Sequence, residues 1–128
     1  MRAASLIMLA LGLAPAPLLA EGARITLTCT ATKACDAAGS CAPDSMQTSF
    51  TFAPATVDDT GAGAYDLTHD GAALTATALS RLGPFAWSAG PDDSEALLVT
   101  GAAQALWQVL TPSTGTSTLH FLACEVTQ

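Results

Sequence analysis

Apolar and polar positions alternate along most of this chain. In Arg24-Ile-Thr-Leu-Thr-Cys-Thr-Ala-Thr32, Ile25, Leu27, Cys29 and Ala31 share one face and the threonines the other, the period of a half-buried strand. Gln47–Ala53 carries Phe50 and Phe52 on one face, and Pro54 is expected to stop it. Ala64–His69 sets Tyr65, Leu67 and His69 on one side. Asp70-Gly71 is a two-residue hairpin signal, because both positions tolerate positive φ, and Ala72–Leu79 is its second arm. Further strands are expected at Phe85–Ser88, Glu95–Thr100, Gln104–Leu110 and Thr116–Val126. Loops or turns separate them at Asp58–Gly63, Gly83-Pro84, Ala89–Asp93, Gly101 and Pro112–Gly115.

About eight strands at spacings near ten residues predict an all-β fold, a small antiparallel barrel or a sandwich. No long stretch of helical period competes. No internal repeat or linker divides the chain, so residues 21–128 are expected to form a single β-barrel-like domain.

The first residues follow another pattern. Met1-Arg2 is followed by an apolar run from Ala3 to Leu13, then Pro15, Pro17 and Leu18-Leu19-Ala20. A charged start, a short apolar stretch and a small residue before polar sequence predict a cleavable secretory signal over residues 1–20. The run is short of the roughly 20 apolar residues that cross a bilayer. The expected compartment is the periplasm or beyond. The chain is rich in Ala, has no Asn and has one Lys, a bias of GC-rich bacterial coding, and without Asn it has no N-glycosylation site.

The four cysteines are Cys29, Cys35, Cys41 and Cys124. An even number in a short exported chain predicts disulfides, with three pairings open. Cys35 and Cys41 flank a short polar turn and can meet without moving anything else. Cys29 and Cys124 lie in the first and last strands and can meet if those strands are neighbours. The favoured pairing is therefore Cys29–Cys124 with Cys35–Cys41. The spacing misses both the close pairs of zinc sites and the Cys-x-x-Cys redox motif, so no cysteine-bound metal is expected.

Losing residues 1–20 also removes Arg2 and takes the formal net charge from −7 to −8. Such a surface repels phosphate backbones and anionic membranes and attracts basic proteins or cations. Nucleic acid is therefore not an expected partner, nor is a membrane once the signal is cleaved.

Candidate chemistry is sparse. There is no Gly-x-Ser-x-Gly elbow, and the histidines are His69 and His120. His120 lies between Leu119 and Phe121, so it is expected on their opposite face. Both histidines are read as solvent-facing. Asp58-Asp59 and Asp92-Asp93 sit in loops with Gly or Pro, where turn chemistry accounts for them. No catalytic set, metal site or cofactor is expected. Phe85, Trp87 and Trp107 are the candidate binding residues, since aromatic side chains fill cores but also line the mouths of small barrels. The Ala- and Leu-rich interior suggests room for a small apolar ligand.

Two resemblances add to this reading. Cys29–Pro43, Gly83-Pro84-Phe85-Ala86-Trp87, Ala105-Leu106-Trp107-Gln108 and Phe121-Leu122-Ala123-Cys124-Glu125 resemble segments of small uncharacterised exported proteins of alphaproteobacteria, which implies no activity. Cys29, Asp70-Gly71, Trp87-Ser88-Ala89-Gly90 and Cys124 fall in the order seen in the periplasmic inhibitors of C-type lysozyme, the MliC-like family. That resemblance implies a small acidic eight-stranded barrel whose early and terminal cysteines are bridged. The family's inhibitory loops carry Ser-Gly and Lys-Gly elements. This chain has Ser80-Arg81-Leu82-Gly83 and Ala89-Gly90 there, so no inhibitory residue transfers. The expectation is a monomeric, non-enzymatic exported protein that binds a basic protein or a small apolar ligand, with an envelope-assembly or structural module, or an unrecognised hydrolase, as the alternatives.

Overall fold

The computed structural model describes residues 24–128. The expected signal segment lies outside the described residues. The rest is all-β, with strands β1 (Ile25–Asp36), β2 (Cys41–Pro43), β3 (Gln47–Val57), β4 (Gly63–His69), β5 (Ala72–Ala78), β6 (Phe85–Trp87), β7 (Ser94–Gly101), β8 (Gln104–Thr111) and β9 (Thr116–Thr127). Every neighbouring pair is antiparallel, and β9 returns to pair with β1 along nearly its whole length. Eight strands thus close a barrel, which resolves the choice between barrel and sandwich. β2 is an extra strand hairpinned onto the far half of β1.

Closure answers a physical need, since an open sheet of this length leaves two unpaired edges. The Cys29–Cys124 disulfide joins directly opposed residues at that closure, and Cys35–Cys41 joins β1 to β2. Alternation sends Leu27, Cys29, Phe50, Phe52, Tyr65, Leu67, Phe85 and Leu97 inward, all of them buried. Phe52 stacks on Phe85 at 3.9 Å, and Tyr65 meets Phe85 edge-on at 5.2 Å. An eight-stranded barrel is just wide enough for side chains to fill it, and here aromatic rings do so.

Two local readings need correction. Pro54 does not stop its strand, and β3 continues to Val57. The last β1–β3 pair is Ile25 with Phe52, so at Pro54 the strand has β4 alone as a paired neighbour and a missing N–H is tolerated. A register shift follows between Pro54 and Thr56. β1 runs past Thr32 to Asp36, with a bulge between Ala31 and Lys33, because β2 and β9 flank its far half. The Asp70-Gly71 turn forms as expected, with φ of 44° and 86°.

Candidate functional site at the acidic mouth

The two ends of the barrel differ. The β3–β4, β5–β6 and β7–β8 connections lie at one end with Arg24 and Arg81. Arg81 donates from its guanidinium to the Asp59 carbonyl at 2.9 Å. The opposite end, the mouth, gathers the β1–β2 turn, the segment into β3, the Asp70-Gly71 turn, the β6–β7 turn and the β8–β9 turn. It carries Asp36, Asp44, Asp70, Asp92, Asp93 and Glu95. Lys33, on the outer wall with its ammonium over the Phe121 ring at 4.4 Å, is the cation at this end among the described residues.

Period two aims polar and aromatic side chains from six strands into the mouth. Thr48 and Phe50 come from β3, His69 from β4, Trp87 from β6, Glu95 from β7, Trp107 from β8 and His120 from β9. His69 stacks on Phe50 at 4.5 Å and meets Trp107 edge-on at 5.1 Å. Trp107 stacks on His120 at 4.8 Å, and Trp87 tilts against Phe50 and His69 at 5.9 Å.

A hydrogen-bond network runs through these rings. Trp107 Nε1–H donates to Glu95 Oε2 at 2.8 Å. His69 Nδ1 lies 3.9 Å from the same oxygen, and His69 Nε2 lies 3.0 Å from Thr48 Oγ1. Thr48 donates to Asp70 Oδ2 at 2.9 Å, and Asp70 Oδ1 accepts the Ser49 amide at 2.7 Å. His120 Nδ1 approaches Asp44 Oδ2 at 3.4 Å without forming an aligned hydrogen bond. Trp87 Nε1 is buried with no acceptor.

Burial sets the electrostatics. Glu95 is only 6% exposed. Desolvation pushes its carboxyl up to about 7, Trp107 opposes that by hydrogen bonding, and Asp93 and Asp70 add to it through their charge. Desolvation lowers the His69 pKa, against the pull of Asp70 and Asp93. Asp44 is held below the ordinary carboxylate range, first by the Met46 amide, with further contributions from Ser45 and His120. The loop aspartates do turn chemistry. Asp58 Oδ1 caps its own loop through Thr60 and Ala62, and Asp92 holds Ser113 across the mouth.

The three binding candidates do not converge. Trp87 and Trp107 line the mouth, whereas Phe85 sits deeper, stacked on Phe52, and all three are buried. The solvent-facing reading of the histidines is wrong. The side chains of His69 and His120 are 13% and 14% exposed and lie among the aromatic rings. Glu95 and Thr48 are further mouth residues that the search for motifs did not single out. Their signal was parity, since Glu95 is in phase with Leu97, and His120 with Leu122 and Cys124.

No family model matches this sequence, and no curated protein or solved structure matches it. Among the described residues no helix is long and apolar enough to cross a membrane, and no group of metal-ligating side chains is assembled.

Proposed function

We propose that this chain is an exported, non-enzymatic binding protein that recognises a basic protein surface through the acidic mouth of its barrel. The observation that carries the reading is the segregation of charge. Asp36, Asp44, Asp70, Asp92 and Asp93 ring the mouth, against one lysine on its outer wall. Clustered charge of one sign focuses the field and steers an oppositely charged partner. Aromatic rings that fill the interior favour a partner docking at the mouth over a small apolar ligand held inside. Two disulfides suit an oxidising compartment outside the cytoplasm, in keeping with the proposed periplasmic or secreted location.

The test is titration of the purified protein against a basic C-type lysozyme and against the cation-exchange fraction of a periplasmic extract. Binding is expected, and it should weaken as salt shortens the Debye length from about 10 Å to about 3 Å. Replacing Asp36, Asp44 and Asp92 together by Asn should abolish it. Salt-insensitive binding, unchanged binding by this triple variant, or no basic partner in either experiment would reject the reading.

A further inference from the structure

Acceptors in the mouth outnumber their donors. Thr48 Oγ1 donates its only proton to Asp70 Oδ2. Its 3.0 Å contact with His69 Nε2 therefore needs a hydrogen on Nε2. Asp70 Oδ2, 3.3 Å from the same nitrogen, favours the same assignment. In the neutral ring this leaves Nδ1 as a bare acceptor, facing Glu95 Oε2 at 3.9 Å. Asp93, whose Oδ1 accepts the Ala89 amide at 3.1 Å, adds its negative charge beside Glu95. A bare imidazole nitrogen and two carboxyl groups thus face one another, and the indole N–H of Trp107 is the one donor placed on Glu95.

We propose that the buried Glu95 carboxyl holds a proton below about neutral pH, in a mouth that faces it with His69 Nδ1 and Asp93 and with no fixed cation, and that release of this proton to water switches the charge and packing of the mouth. The groups around Glu95 come from β3, β4, β6 and β8 and from the turn ahead of its own strand. They are Thr48 and His69 with Asp70 behind them, the unpartnered Trp87 N–H, Asp93 in the turn ahead of β7, and Trp107, behind which His120 approaches Asp44. None is a fixed cation, so ionised Glu95 meets only the Trp107 hydrogen bond and the repulsion of Asp93 and Asp70. Desolvation and that repulsion both act to hold the proton. The element placed to respond is the β6–β7 turn, which is held to the β8–β9 turn through Asp92 and Ser113. The β5–β6 ladder has two pairs, Thr77–Ala86 and Ala78–Phe85, both at the end away from the mouth, so the wall beside this turn is thinly tied. Ionisation pushes Asp93 and its turn outward and adds one negative charge to the mouth. The inference concerns the protein alone and holds whether or not a basic protein docks there.

The test follows the Glu95 side-chain carboxyl carbon by NMR while the pH is raised from about 4 to about 9, with tryptophan fluorescence in parallel. Both Trp residues line the mouth, so emission should titrate with the carboxyl, at a midpoint near 7. A free Glu titrates at about 4.3. Glu95→Gln copies the neutral state, and its carbonyl can accept the Trp107 N–H. In this variant the fluorescence transition should vanish, and the fall in melting temperature between about pH 4.5 and about pH 7 should flatten. Should that variant not fold, Asp93→Asn supplies an independent arm. Removing the neighbouring charge should move the Glu95 midpoint downward. A Glu95 carboxyl that titrates in the ordinary range, or a midpoint indifferent to Asp93→Asn, overturns the proposal.

Discussion

Glu95 is only 6% exposed among aromatic rings, and its side chain has one hydrogen bond, from an indole. The unfolded chain ionises this carboxyl at the ordinary 4.5, and the folded chain near 7. A raised acid pKa means the native state binds the proton more tightly. Its stabilising effect is complete below about pH 4.5 and is lost as pH rises through about 7, by an amount on the order of 3 kcal/mol. Denaturant midpoints measured at a series of pH values should show that decline, and a flat profile would count against the buried proton. Trp107→Phe isolates the hydrogen bond. It strips the donor from Glu95 Oε2, and because that bond favours the ionised form, the Glu95 midpoint should rise. Stability should fall by about 1–3 kcal/mol from the lost bond. A downward midpoint in the Phe variant would show that the indole does not act on the carboxylate. The inward aim of these groups was legible in principle. His120 shares the parity of Cys124, and a cysteine bridged to an inward-facing Cys29 must itself point inward. Reading His120 only against Leu119 and Phe121 reversed its face, because those two apolar residues lie on the outer wall. There Phe121 carries Lys33 rather than core.

At the level of the strand, the legible elements are those whose ends are set by local chemistry. Asp70-Gly71 forces a turn whatever surrounds it, and β4 and β5 follow in their expected places. What escaped the sequence depends on neighbours remote along the chain. Cys41–Pro43 has no buried face at all, and it is a strand only because β1 offers it an edge. Pro54 is passed because β1 has already ended beside it. The two disulfides divide along the same line. Cys35–Cys41 closes a turn of six residues' separation and ties β2 to β1, outside the eight strands of the barrel. Replacing both by Ser should cost about 2 kcal/mol by the loop-entropy relation. Amide exchange should quicken within residues 33–43 and leave the barrel strands protected. Loss of protection in β7 or β8 would mean that the hairpin supports the whole fold.

The barrel as a whole is closed by its most distant parts. β1 and β9 pair from Thr26–Thr127 to Asp36–Thr118, so the polypeptide must bring its two described ends together before the sheet loses its edges. The Cys29–Cys124 bridge joins residues 95 apart at that seam. If it acts by removing entropy from the unfolded chain, its contribution is about 4–5 kcal/mol and belongs to chain connectivity rather than to the contacts the sulfurs make. A circular permutant separates the two. Arg24 and Gln128 lie at the same end of the paired strands, so a short linker can join them. New termini can open between Gly101 and Ala102, in an exposed turn where Ala103 is held at φ 63°. In that permutant every strand keeps its neighbours, but the bridge spans only about 15 residues, for which the same relation gives about 3 kcal/mol. Replacing Cys29 and Cys124 by Ala leaves the same cavity in both backgrounds, so cavity terms cancel in the comparison. The double substitution should therefore cost about 1–2 kcal/mol less in the permutant than in the parent, read from urea unfolding of all four proteins. An equal cost in both would place the stabilisation in the packing around the buried sulfurs and make the seam, not the loop it closes, the source of the barrel's stability.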